Sequence, residues 1–454
     1  MTAASSALVA AVFGEFGAIA GQPRPAGTVV VGVPYRLSSL DPAASPVDPN
    51  QPQALSPYRL IYDTLVITGP DGRLYPHLAA GWEIGAGGKE ITFRLRRGVR
   101  FHDGRPVDAG AVKYTLDRLT EAPESGTLAR MLGPVKEVIV VDPERVRLVF
   151  ERPYPPVWTA LSWSAYGVVA PGGEAGALGP VGSGPFRPES LTGGRLTLVA
   201  NDGYDWPPPF VKGPGPARPR QVVFEFLPER GSLSAAFGGS RLDVAEFGQG
   251  ESWQGPPGLV VHRPTLTYLG FNVADGPMAD PAVREAAALA IDRQALIDKV
   301  GLPATAETSV IPGGMWASGL KAGSKGDGLP AYDPARAKAV LAADGWKDTD
   351  GDGLVERPGL NGAPPSRLRV EVLSYDYQWE AGLGKAVSEQ LRAVGIEALA
   401  TTLEPRDVLE RTREGLAPAF VLTYDWYDPD VIYYFFHSSR LGLTNRSRLD
   451  DPAV

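Results

Sequence analysis

Cysteine is absent from the 454 residues. Disulfides, thiolate metal sites, a cysteine nucleophile and a lipid-anchoring cysteine are therefore all excluded. Histidine is scarce, and the four present, His77, His102, His262 and His437, lack the i, i+4 spacing of a helical zinc pair. Each reads as a structural histidine. Basic excess is also missing: 44 Lys and Arg stand against 52 Asp and Glu, a net charge of -8 without long like-charge runs. This leaves no electrostatic footprint for nucleic acid. No apolar run is long enough to cross a bilayer, because Glu15 interrupts the best stretch, Ala3 to Ala20. That stretch ends in Ala18-Ile19-Ala20, the small-x-small form of a signal-peptidase site, but no Lys or Arg precedes Arg24. It reads either as an atypical export signal or as a tail of small residues over 1-27. Catalytic signatures are missing too. Gly182-Ser183-Gly184-Pro185 is not a nucleophile elbow, no phosphate-cradling loop is present, and nothing singles out a carboxylate pair for glycoside hydrolysis. No enzyme and no cofactor is read.

What is there points to a mixed fold of two or more lobes. Hydrophobic residues make up 43% of a chain longer than one core usually serves, and 54 glycines and 44 prolines punctuate it throughout. Thr28 to Val33 is a β-branched run that predicts a buried strand, and Ile91 to Arg96 alternates in polarity as an edge strand does. Asp108 caps a predicted helix to Leu119. Val135 to Val141 and Val146 to Phe150 form a hairpin about Asp142-Pro143-Glu144-Arg145. Arg195 to Ala200 and Gln221 to Leu227 supply further strands. Beyond Asp280 the texture turns helical: one alanine-rich run from Pro281 to Lys299, another from Asp333-Pro334 to Asp344, and a third over Gly382 to Val394. The fold class is α/β.

Several blocks carry a more specific signal. Tyr75-Pro76-His77-Leu78-Ala79-Ala80-Gly81-Trp82-Glu83 is followed by Phe93 to Val107, with Asp103-Gly104 suited to a tight turn. Around them, in order, stand Ser39-Leu40-Asp41-Pro42, Ile61-Tyr62-Asp63-Thr64-Leu65, Val181 to Phe186, Asn201 to Trp206, and Val283 to Arg293. This ordered set resembles the family 5 solute-binding proteins of ABC importers, the oligopeptide, dipeptide and nickel class, from about Val29 onward. The resemblance implies a bilobal periplasmic-binding-protein-like fold of class II type with an extra small inserted lobe. Its parts would be lobe I at 28-55, the inserted lobe II at 56-181, the return to lobe I at 182-265, and lobe III at 266-454. It further implies a monomeric, extracytoplasmic carrier that holds a small molecule or peptide between lobes I and III and delivers it to the transmembrane subunits of an ABC permease.

The same resemblance singles out site residues. In peptide-binding members an aspartate ahead of an acidic-Pro pair holds the ligand's α-ammonium, and by position it is Asp425, within Tyr424-Asp425-Trp426-Tyr427-Asp428-Pro429. Asp425 and Asp428 also suit a Pro-containing turn on their own account. Trp426, Tyr424 and Tyr427 could stack on a sugar ring or pack as lobe core. Leu422 stands where peptide binders often carry tryptophan, so oligosaccharide and metal-chelate carriers of the same fold stay open, as does a carbohydrate-active hydrolase from another class. Tyr35, Arg36 and Leu37 occupy the stretch that pairs with ligand backbone in peptide-binding relatives. The segment Asp348 to Glu356 mimics a calcium loop, with Asp348, Asp350 and Asp352 among oxygen ligands at alternating positions and Gly353 at the sharp turn. Its twelfth position is Gly359 where glutamate belongs, and the segment reads as a hairpin connection. Family members continue past the region resembling Asn445 to Val454, which predicts a shortened lobe III and low thermal stability or aggregation.

Overall fold

A computed structural model of the chain describes residues 27-37, 39-42, 56-69, 73-121, 126-172, 178-211, 216-217, 219-229, 231-247, 265-301, 304-307, 309, 329-359, 364-376, 378-425 and 431-451. The chain divides into two compact units, Met1–Arg263 and Pro264–Val454. Among the described residues no helix is long and apolar enough to cross a membrane.

The first unit contains strands β1 (Thr28–Val33), β2 (Val66–Thr68), β3 (Leu74–Pro76), β4 (Ala79–Gly85), β5 (Glu90–Leu95), β6 (Val135–Asp142), β7 (Arg145–Phe150), β8 (Phe186–Thr192), β9 (Arg195–Ala200), β10 (Gln221–Phe226) and β11 (Val244–Ala245). They form a five-stranded sheet in the order β11-β1-β10-β9-β8 and a four-stranded sheet in the order β4-β5-β7-β6. β1 runs parallel to both neighbours, with Val31 opposite Phe224 on one side and Val244 on the other. Its β-branched run fits that central position: Val31 and Val33 are fully buried, as parallel strands covered on both faces require. The smaller sheet is antiparallel throughout, and the hairpin β6–β7 turns at Asp142 and Arg145. The helix Ala109–Glu121 covers it, capped by Asp108, whose Oδ1 accepts the Ala111 N–H at 2.9 Å.

Strands β12 (Thr265–Phe271), β13 (Glu356–Arg357), β14 (Ser366–Arg367), β15 (Arg369–Tyr375), β16 (Glu397–Leu403) and β17 (Ala419–Asp425) belong to the second unit. Its main sheet has the order β12-β17-β15-β16, with β15 parallel to both β16 and β17. Alternation sorts the side chains of β15 and β17 into two layers. Val370, Val372, Ala419 and Val421 pack with Val387 and Leu391 of the helix Gln378–Ala393. Leu373, Tyr375, Phe420 and Leu422 pack with Val408 of the helix Pro405–Glu414.

Two helix expectations change. The run from Pro281 to Lys299 is two helices, Pro281–Leu289 and Arg293–Val300, because Asp292 caps the second by accepting the Ala295 N–H at 3.0 Å. The helix expected over Gly382 to Val394 begins earlier, at Gln378, and its first turn carries the buried Glu380.

Candidate functional site

The ordered sequence blocks meet at one buried carboxylate. Asp63, 1% exposed, accepts hydrogen bonds from Ser183 Oγ at 3.0 Å and Trp206 Nε1 at 2.8 Å through Oδ2, and from Tyr204 OH at 3.3 Å through Oδ1. His77 Nε2 also lies 3.3 Å from Oδ1. The same ring nitrogen lies 3.4 Å from Tyr204 OH. Burial holds the His77 pKa below its ordinary value over the opposing pull of Asp63. Arg96 ties the same residue in by donating from Nε to the His77 carbonyl.

Close backbone contact makes this convergence possible. A Cβ on Gly182 would stand 2.0 Å from the Ile61 carbonyl oxygen, and one on Gly184 2.5 Å from that of Leu60. Glycine at both positions lets the chain reach Ser183 to the carboxylate. The serine donates to the aspartate, which ties the two segments into one framework knot. Trp206 also borders an open groove of about 620 Å³, with Arg94, Arg96, Arg97, Glu144 and Asp205 on its walls. Arg97 there is spent on Glu144 at 2.8 Å, and the groove contains none of the predicted ligand contacts.

Those predicted contacts sit elsewhere, at the carboxyl ends of parallel strands. In the first unit, Tyr35, Arg36 and Leu37 follow directly on β1. The Tyr35 ring lies 6.0 Å from that of Phe226, and its phenol is pushed well up, chiefly by burial and next by the Glu246 carboxylate. Arg36 is exposed and donates to Glu229 at 2.9 Å, while Leu37 packs on the unit's core. In the second unit, Asp425 is the last residue of β17, in register with Thr265 of β12. Tyr424 is buried, with its ring stacked on Phe435 at 5.0 Å and edge-on to Tyr268 at 5.5 Å. Burial raises its phenol above the ordinary value. Trp426, Tyr427 and Asp428 lie outside the described residues. In open α/β sheets the crevice beyond the carboxyl ends of strands is where ligands bind.

Sequence reasoning missed one group beside β17. Glu380 is 1% exposed; its Oε1 accepts the Thr423 hydroxyl at 2.8 Å, and Thr423 Oγ1 in turn lies 2.9 Å from Thr267 Oγ1. Its Oε2 has no hydrogen-bond partner among the described residues. Burial pushes the carboxyl up to about 7, against the opposing Thr423 bond. An acid in a helix's first turn is unremarkable in sequence, so no signal pointed to it.

The calcium-like segment is a rigid turn. Asp348 accepts the Gly351 N–H at 2.7 Å and the Gly353 N–H at 3.0 Å, while Asp352 accepts that of Leu354 at 2.9 Å. Lys347 and Glu356 form an antiparallel bridge across its base.

Comparison with known proteins gives the family and the fold. A family model described as bacterial extracellular solute-binding proteins, family 5 Middle, matches residues 73–442. The nickel-binding periplasmic protein of Escherichia coli is 24% identical over 418 residues, covering 87% of this chain and 74% of its own length. A glutathione-binding protein of Salmonella choleraesuis is 27% identical over 333 residues, 70% of this chain and 62% of its own length. Among solved structures, the oligopeptide-binding protein of Bacillus subtilis in complex with a nonapeptide superposes with a TM-score of 0.67 at 21% identity, covering 95% of this chain and 86% of that one. The two α/β units are thus those of a bilobal solute-binding fold, and the chain belongs to the bacterial extracellular solute-binding proteins, family 5.

Proposed function

We propose that this chain is the extracytoplasmic solute-binding component of an ABC importer, capturing a small solute, foremost a di- or oligopeptide, and delivering it to the membrane permease. The observation that carries the reading is the position of Asp425 at the carboxyl end of β17, in a sheet where β15 runs parallel beside it. A carboxylate there can take a ligand ammonium in a charge-assisted hydrogen bond and so fix ligand polarity. Main-chain pairing along Tyr35 to Leu37 would supply affinity that does not depend on ligand side chains. No turnover is part of this function, since transport energy comes from the importer's ATPase, and the carrier acts as a monomer.

A metal-chelate or oligosaccharide cargo is the second reading. It is favoured by Leu422, which is buried among Leu373, Phe420 and Val408, in place of the tryptophan of peptide binders. Native mass spectrometry of freshly purified protein separates these cargoes by the mass of the released ligand. A peptide released intact, and bound about 100-fold more weakly by Asp425→Asn, is the expected result. Hydrolysis of a glycoside that disappears in the Asp425→Asn protein would sink the carrier reading.

A further inference from the structure

The loop between Lys347 and Glu356 holds more negative charge than its own contacts neutralise. Asp348, Asp350 and Glu356 each bring a carboxylate oxygen within 4.8 Å of the others. Oxygens bound on opposite sides of one calcium ion stand about 4.6–5.2 Å apart, so a single ion can reach all three. Gly351 and Gly353, at φ +80 and +86, bend the backbone so that the acids converge.

Glu356 supplies the independent observation. It is 4% exposed, and its Oε2 accepts both the Thr349 N–H at 3.0 Å and the Thr349 hydroxyl at 2.9 Å. Its Oε1 is buried without a hydrogen-bond partner among the described residues. Arg367, paired opposite it on β14, keeps its Nε 3.8 Å from that oxygen and spends Nη2 on Asp350 at 3.1 Å and Asp352 at 2.5 Å. One guanidinium therefore faces three carboxylates, those of Asp350, Asp352 and Glu356. A buried carboxylate oxygen without a donor is costly, and a divalent cation is the partner that would satisfy it.

We propose that Asp348, Asp350 and Glu356 form a calcium site on the second unit, with the buried Glu356 standing in for the glutamate missing at the loop's twelfth position. Three carboxylates on a turn of this shape suit the adaptable oxygen shell of calcium better than the strict octahedron of magnesium. Arg367 is then the group that shares the acids with the ion and tunes its affinity downward. The site is independent of the transported solute, so its success or failure leaves the carrier reading as it stands.

Calorimetric titration of the full chain, first stripped with a chelator, tests the assignment with calcium chloride and magnesium chloride as the probes. The expected result is one calcium per chain with Kd near or below about 10⁻³ M, as in extracellular calcium modules, and a rise in Tm that magnesium does not reproduce at equal concentration. Asp350→Asn changes an exposed side chain and should leave the fold intact while weakening calcium about tenfold or more; Glu356→Gln should abolish binding. Absence of calcium heat and of a Tm shift in the unmutated chain would overturn the proposal. Equal affinity in the Asp350→Asn protein, or magnesium binding as tightly as calcium, would overturn it as well.

Discussion

The most deeply buried carboxylate of the first unit, Asp63, and that of the second, Glu380, are treated differently. Asp63 faces Ser183, Tyr204, Trp206 and His77, so both of its oxygens have partners. Among the described residues Glu380 has one donor, Thr423, and one oxygen with none. The first is a structural rivet assembled from the family blocks. The second keeps unspent hydrogen-bonding capacity against the strand that ends in Asp425. Asp63 is saturated, whereas Glu380, bonded to Thr423 of β17, is left responsive to protons.

Breaking the saturated node should cost the most. Asp63→Ala leaves Trp206 Nε1, Ser183 Oγ and Tyr204 OH without their acceptor, and is expected to lower stability by about 3–5 kcal/mol in urea unfolding. The other node should show itself through pH. The Glu380 carboxyl is pushed from 4.5 to about 7, so the folded chain holds this proton more tightly than the unfolded one. Stability from that group is fully present below the unfolded value and is lost as pH rises through the folded one. Glu380→Gln should remove that decline, worth about 1–3 kcal/mol between the two ends of the window. His77 has the opposite sign: its folded pKa is lowered from 6.5, so its contribution is present above 6.5 and is lost as pH falls. Hydrogen exchange followed by unit would then loosen Met1–Arg263 first in acid and Pro264–Val454 first toward neutral and alkaline pH. The smallest effect serves as the control. Arg36→Ala breaks an exposed pair with Glu229 and should change stability by about 0–1 kcal/mol. A reduced solute affinity in that variant would therefore report on binding and not on folding.

Much of the scaffold is legible in sequence because it is local. The Val-rich run at Thr28 becomes β1 over the expected residues, and the Pro-containing turn after Asp142 closes a hairpin as its chemistry demands. The break at Asp292 is also local, but the alanine-rich stretch masks it, since helix propensity on both sides is high and only the cap divides them. What the sequence does not reveal is convergence. Asp63 and its partners Ser183 and Trp206 are 120 and 143 residues apart, and the blocks containing them read as separate turns and strands. Glu356 closes the calcium-like segment in sequence, but its burial is not legible there for a related reason. Counting along the loop asks for an acid at Gly359, whereas the hairpin brings in one from three residues earlier and buries it.

The separation of Asp63 from its donors also carries a consequence for biosynthesis. While the chain is being made, the aspartate and His77 appear first, and Ser183 and Trp206 follow only after the smaller sheet has been synthesised. Closing so long a loop early brings an entropic cost with no compensating contact, so the rivet is set late. Until then Asp63 is a solvated acid on an unfinished surface, and the nascent first unit depends on the smaller sheet holding itself together before its clamp arrives.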